Sequence, residues 1–279
     1  MVGHDTRRKP MQKHEFNAGG HCLSAWIWGR IDPARPVVVM LHGGLDCTST
    51  WKDLPQAIAD TTQLPVLSYD RWGYGGSDAL TGGRERSYRF EESGPVFGDL
   101  LRHFGIDSAV LFGHSDGGAM ALLAAAAHPQ AVRAVCACSP TIALDLHMVR
   151  GMDAARQAYE HGGLRERLVR HHGDKTDAMF WGWHGPWSTE DATRWSMAEQ
   201  LAAVRCPVAA LFGQADDYGW RTSARALVDH GTMPLEVTAL PGIAHDPQHK
   251  ARDAVLAALQ RTLCAAALRP GVPLVRPAA

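Results

Sequence analysis

Several features that would place a protein in a class at once are missing from this 279-residue chain. Its charges nearly cancel, leaving a formal net charge of −1, so there is no electrostatic footprint for a nucleic acid or an anionic membrane as partner. No apolar run is long enough to cross a bilayer. The six cysteines (Cys22, Cys47, Cys136, Cys138, Cys206 and Cys264) form no CxxC pair. Free thiols in a reducing compartment are therefore expected. Fifteen histidines include no HExxH zinc motif, and adjacent His171 and His172 splay apart on a helix, so no metal is expected. The opening, Met1 to Pro10, carries charge with no apolar core behind it. A secretory signal is not expected, and a cytoplasmic setting is. Nothing points to an organic cofactor.

What is present is a globular composition, 46% hydrophobic and 20% charged, long enough for one α/β domain with an insertion. A hairpin opens the pattern: Lys13 to Asn17, a Gly19-Gly20 turn, then Cys22 to Trp28. Strands and helices alternate from there. Apolar runs at Pro36–Leu41, Pro65–Tyr69, Ala109–Phe112 and Val132–Cys138 read as strands covered on both faces. Helical stretches fall near Trp51–Asp60, Glu91–Phe104 and Gly117–Ala127. From about Thr141 to Gln200 no comparable strand occurs, only helical patches and aromatics. Strands resume at Pro207–Phe212 and Leu235–Leu240, and a helix with Val255, Leu256, Leu259 and Leu263 on one stripe follows. Pro270 to Ala279 reads as a loose tail. The alternation implies a mostly parallel sheet with helices on both faces. Any ligand site should lie beyond the carboxyl ends of its strands.

Four of those ends carry chemistry. Gly113-His114-Ser115-Asp116-Gly117-Gly118 follows one strand and opens a helix, where flanking glycines permit a turn tight enough to lift the Ser115 hydroxyl clear of the sheet. His42-Gly43-Gly44-Leu45 follows another. Its Gly44 N–H, with Leu45 as the fallback, and the Asp116 N–H are candidate donors to a developing oxyanion, while His42 is expected to brace the loop. Asp216, with Asp217 as a neighbour not excluded, follows the strand ending at Phe212. It can orient a histidine. His245 hangs in the loop after Leu240, where a general base is needed. Asp246 and Pro247 behind it suit the start of the final helix. The Asp116 carboxylate can either bond locally or face a cationic acyl group.

With these residues, and with Asp70-Arg71-Trp72-Gly73-Tyr74-Gly75-Gly76-Ser77-Asp78 and the Gly242–Pro247 loop, the chain resembles the α/β-hydrolase superfamily over nearly its whole length. It is similar within it to lidded bacterial esterases, lactonases and carbon–carbon bond hydrolases, and to biphenyl-hydrolase-like esterases at Ser-Asp-Gly-Gly. The resemblance implies a core formed by residues 1–140 and 201–279 with a helical lid at 141–200. It also implies a catalytic triad of Ser115, Asp216 and His245 in the chain order of that fold. A serine at 115, where dehalogenase-like and epoxide-hydrolase-like relatives carry aspartate, implies acyl transfer. The expected function is hydrolysis of a carboxylic ester of a small or medium acyl substrate. A lactonase and a carbon–carbon bond hydrolase are alternatives, the latter needing arginines near the lid to clamp a carboxylate. A ligand-binding protein on the same scaffold is a further one. Leu45, Trp181, Trp183 and Trp187 are the candidate pocket residues, with packing of the lid as the competing role for the tryptophans. A small molecule is the expected partner.

Overall fold

The computed structural model describes residues 11–267. The opening segment to Pro10 and the Pro270–Ala279 tail lie outside the described residues. In chain order the strands are β1 (Gln12–Ala18), β2 (His21–Trp28), β3 (Val37–Leu41), β4 (Val66–Tyr69), β5 (Ala109–His114), β6 (Val132–Cys138), β7 (Val208–Gly213) and β8 (Leu235–Leu240). They form one sheet in the order β1-β2-β4-β3-β5-β6-β7-β8. The β1–β2 hairpin joins β4 antiparallel, and every pairing from β4 to β8 is parallel. This is the α/β-hydrolase fold.

Period-two alternation in the strands builds two cores. Val37, Val39 and Leu41 of β3 join Ala109 and Leu111 of β5 on one face. Val38 and Met40 join Val110 and Phe112 on the other, because successive side chains of a strand point to opposite faces. The helices are α1 (Leu54–Thr62), α2 (Tyr88–Glu91), α3 (Phe97–Phe104), α4 (Asp116–Ala127), α5 (Leu146–His161), α6 (Leu164–His172), α7 (Thr176–Trp187), α8 (Ala198–Leu201), α9 (Arg221–His230), α10 (Pro247–Lys250) and α11 (Arg252–Ala265). Leu54 and Ile58 of α1 cover the second face together with Val255, Leu259 and Leu263 of α11. On the first face lie α3, α4 and α9. Helix α4 is apolar nearly all round, Met120 and Leu122 among alanines, and is buried nearly all round, as such a helix must be.

Two boundaries differ from the sequence pattern in ways that matter below. The helical path towards Phe104 starts at Tyr88 and passes through a π-helical stretch, Glu92–Val96, that contains Pro95. A proline without an N–H is accommodated by such a bulge. The earlier start brings Arg89 into the fold's interior. Asp246 and Pro247 open only the one-turn helix α10; α11 begins separately at Arg252, and the Asp246 side chain makes no capping bond. Between β6 and β7 run α5 to α8 with two short 3-10 turns. Of these, α8 packs on α4 and α9. Among the described residues no helix is long and apolar enough to cross a membrane.

Candidate active site

Chain order and strand order part company at the centre of the sheet. From β3 the chain goes to β4 on one side, then returns to β5 on the other. The loops leaving β3 and β5 therefore diverge and open a crevice between them, as expected at such a switch point. Leu41 of β3 is in register with Gly113 of β5, so residues 42–46 and 114–116 leave the sheet side by side. Similarly Gly213 of β7 is level with Leu240 of β8. Gln214 N–H bonds Leu240 O at 2.9 Å and Ala215 N–H bonds Ile243 O at 2.9 Å. Those bonds hold Asp216 and His245 over the same edge.

Ser115 is the turn itself. Its φ of 53° and ψ of −116° are outside the allowed regions for ordinary L residues. The strain is sustained by Ser115 N–H to Cys138 O at 2.8 Å and by the first bond of α4, Ala119 N–H to Ser115 O at 3.0 Å. The flanking glycines are there for space. A Cβ on Gly113 would lie 2.4 Å from Gly117 O, and one on Gly117 would lie 2.0 Å from Leu41 O. Both obstacles are backbone and cannot rotate away. Gly117→Ala is accordingly expected to cost about 1–3 kcal/mol of stability, the usual range for overpacking. Thermal unfolding of the variant checks this, and an unchanged midpoint would contradict the crowding.

The Ser115 hydroxyl is 2.7 Å from His245 Nε2, and His245 Nδ1 is 2.6 Å from Asp216 Oδ2. An ionised carboxylate can only accept, so Nδ1 carries the proton and Nε2 accepts from the serine. Burial works to raise the Asp216 pKa, but the hydrogen bond from His245 outweighs it and the carboxyl is held below its ordinary range. Its other oxygen accepts the Tyr218 N–H at 2.9 Å. Asp217 is exposed and has no place in this arrangement.

The loop after β3 is braced from behind. His42 is fully buried and accepts the Arg71 N–H on Nε2 at 3.1 Å, while its Nδ1–H donates to Gly43 O at 2.9 Å. Burial first, and Arg71 next, push its pKa well below the usual value, so it is a neutral brace. Gly43 O also accepts from Arg71 Nη2 at 2.8 Å. No peptide bond among the described residues is cis. The Gly44 N–H, trans to that carbonyl, therefore points away from Arg71. Gly44 has no room for a side chain, since a Cβ there would meet the Trp183 indole at 1.9 Å. The Asp116 N–H, in the first turn of α4, has no partner one turn back inside the helix.

The Asp116 carboxylate is not available to a cationic acyl group. It is buried and accepts Arg71 Nη1 at 3.0 Å, Arg89 Nε at 2.6 Å and the Tyr88 hydroxyl at 2.8 Å. Burial raises its pKa, yet Arg89 and Arg71 overcome that and hold it at about 2. Two guanidiniums thus engage this one carboxylate.

A second pair ties the two loops together. His114 Nδ1 is 3.1 Å from Asp46 Oδ2 and its Nε2 is 2.9 Å from His245 O. Both partners can only accept, so both nitrogens carry protons and His114 is an imidazolium. Burial opposes that charge, but the Asp46 carboxylate prevails and the His114 pKa is raised. The Asp46 pKa is lowered, burial again opposing and His114 prevailing. The pair stabilises the fold fully between the ordinary values of 3.8 for the acid and 6.5 for the imidazole. That contribution is lost as pH rises through the raised value of His114, and also as pH falls through the lowered value of Asp46. As pH rises above 6.5 the melting temperature should thus fall more steeply than that of His114→Gln. Parallel curves for the two proteins would show that the pair does not form.

A cavity of about 170 Å³ lies over Ser115 and His245, lined by Gly44, Leu45, Arg89, Met148, Met152, Trp183, Trp187 and Tyr218 among others. Of the four residues expected to line a pocket, Leu45, Trp183 and Trp187 do. Trp181 does not: it is 43% exposed and packs its edge on Tyr159 and Phe180. The reason is helical geometry, since 183 and 187 lie four apart on one face of α7 whereas 181 and 183 point to nearly opposite faces. Sequence reasoning did not find Arg89, Asp46, Met148, Met152 or Tyr218. Tyr218, two residues beyond Asp216, and Asp46, directly after Leu45, had a positional signal. Among the described residues no group of three or more His, Cys, Asp or Glu is placed to hold a metal ion.

The family model described as alpha/beta hydrolase fold matches residues 36–184. Solved structures resemble this one at low identity. The 2-hydroxy-6-oxo-6-phenylhexa-2,4-dienoate hydrolase of Rhodococcus sp. strain RHA1 superimposes with a TM-score of 0.76 at 19% identity, covering 91% of this chain and 99% of its own. Haloalkane dehalogenase DbeA from Bradyrhizobium elkani USDA94 gives 0.72 at 18%, covering 92% and 99%. Naproxen esterase from Bacillus subtilis gives 0.69 at 16%, covering 90% and 91%. At such identities the likeness is one of fold.

Proposed function

Because this chain belongs to the alpha/beta hydrolase family, we propose that it is a serine hydrolase that cleaves a carboxylic ester through an acyl-enzyme on Ser115. The observation that carries this reading is the unbroken line from Asp216 through His245 to Ser115, at 2.6 Å and 2.7 Å. His245 Nε2 takes the Ser115 proton as Oγ bonds to the ester carbon, and Asp216 stabilises the imidazolium. The N–H groups of Gly44 and Asp116 receive the negative charge on the former carbonyl oxygen. Collapse of that intermediate breaks the bond to the alcohol, which leaves with the proton held by His245. Water then adds to the acyl-enzyme, giving its proton to His245. The carbon–Oγ bond breaks, releasing the acid, and Ser115 recovers its proton.

The 141–200 segment is in this reading a cap. Its Met148, Met152, Trp183 and Trp187 form the apolar walls over the nucleophile, and a volume of about 170 Å³ favours a small or medium acyl group. A serine rather than a carboxylate at 115 argues against displacement at a halogenated carbon. Lactone opening requires nothing more than the same steps. Labelling with a fluorophosphonate tests the proposal: mass spectrometry should find the adduct on the peptide carrying Ser115, and folded protein that takes up no label would overturn it.

A further inference from the structure

Buried charge at the floor of the cavity does not balance. Arg71, Arg84 and Arg89 touch Asp116 and Glu92 in one cluster, each side chain at most 5% exposed. Three cations thus face two anions. Burial, the largest influence on Glu92, raises its pKa, which only enlarges the positive excess. An uncompensated charge in a low-dielectric interior is costly unless something pairs with it.

Of this cluster Arg84 and Glu92 line a separate pocket, and the members that line the cavity are Asp116, whose carboxylate is engaged by three donors, and Arg89. The Arg89 guanidinium is held in place on several sides. Nε donates to Asp116 at 2.6 Å, Nη1 donates to Thr141 O at 3.1 Å, and Trp187 and Trp195 lie 4.1 Å and 4.6 Å from its central carbon. Nη2 makes no hydrogen bond among the described residues, though it is not one of the sealed polar atoms that lack a partner. Arg89 is one of the residues that line the cavity. The other cation there, His114, has both ring nitrogens engaged. A planar guanidinium with two indoles beside it, and one nitrogen that makes no hydrogen bond, suits a carboxylate better than any neutral group. A brace for Asp116 alone would need neither that nitrogen nor the surplus charge.

We propose that the substrate carries a carboxylate on its acyl part, remote from the scissile ester, and that Arg89 binds it. This rests on the serine-hydrolase reading above. The substrate class is then the half-ester of a dicarboxylic acid, hydrolysed with water to the diacid and the alcohol.

The test compares monoethyl glutarate with its half-amide isostere, ethyl glutaramate, in a pH-stat, alongside fluorophosphonate labelling. The wild-type protein should favour the half-ester by about tenfold or more in kcat/KM, the return expected of a charge-assisted hydrogen bond. In Arg89→Gln that ratio should collapse towards one, and in Arg89→Lys it should fall only in part. The ratio within each protein is the readout, so a general loss of activity does not obscure it. Should Arg89→Gln fail to fold, the wild-type ratio and Arg89→Lys still decide. Equal or better turnover of the amide by the wild type would overturn the proposal and leave the serine hydrolase standing, as would a preference that survives in Arg89→Gln. If the phosphonate labels Ser115 but neither ester turns over, slower labelling in the presence of the half-ester than of the amide supports the carboxylate site, and equal slowing refutes it. No labelling at all removes the underlying reading.

Discussion

Ser115→Ala is expected to lower kcat on any ester the protein hydrolyses by about four to six orders of magnitude. The size follows from what is lost together. Without Oγ there is no atom to form the acyl-enzyme, and His245 Nε2 loses the hydroxyl oxygen it stands 2.7 Å from, with its proton. The proposed oxyanion donors and the cavity remain, so a small residual acceleration of direct water attack should persist. Alanine keeps the same backbone with its φ of 53°, and no packed methylene is removed. Stability should therefore stay within about 1 kcal/mol of the parent, as for substitutions that touch no core packing. Rate assays paired with thermal melts separate the two effects. A variant that melts normally and still turns over at a tenth of the parental rate would show that Ser115 is not the nucleophile.

The largest effect on stability should come from Asp116→Ala. Arg71 is wholly buried and Arg89 nearly so, and the Asp116 carboxylate is the anion that both of them touch. Its removal strands two guanidiniums in the interior, and breaking a buried pair on one side costs about 3–5 kcal/mol. Urea denaturation measures this, and Asp116→Asn should recover little of it because shape without charge leaves the cations unpaired. A rate effect should accompany it. Arg71 holds Gly43 O through the nitrogen adjacent to the one that bonds Asp116, so loosening Arg71 frees the peptide that aims Gly44 N–H. Losing one oxyanion donor typically costs 10²–10³ in kcat, and about tenfold or more is expected here. The Asp116 pKa lies at about 2, against an ordinary 3.8. The carboxylate's contribution is thus fully present above 3.8 and disappears only as pH falls through about 2. A parent with the same urea midpoint as Asp116→Ala at neutral pH would refute the charge argument.

How much of this could be read from the chain alone depends on what kind of information each part carries. The strands were legible because Val37-Val38-Val39-Met40-Leu41 and its counterparts are apolar on both faces, which only a buried strand needs. The elbow was legible because glycines flank Ser115 where a strand turns into a helix; a Cβ on Gly113 would meet Gly117 O four residues on, whereas one on Gly117 would meet Leu41 O of another strand. Trp181 was misplaced because proximity in sequence was read without the rotation of the helix, which sends 181 and 183 to different sides. Asp116 was weighed as a pocket anion or a locally bonded one, and its partners turned out to be Arg71, Tyr88 and Arg89 from other elements.

From its residues alone the chain determined a parallel sheet with helices on both faces, the loops that leave it, and the order Ser115, Asp216, His245 along it. Those properties arise from short-range rules: side-chain periodicity, glycine sterics, and which residue follows which strand. Tertiary structure alone decided the buried charge cluster around Asp116, the pairing of His114 with Asp46 and the place of Arg89 at the cavity. Each is a property of groups drawn from distant segments, and electrostatic energy depends on separation in space and on exclusion of water, neither of which is written in sequence spacing.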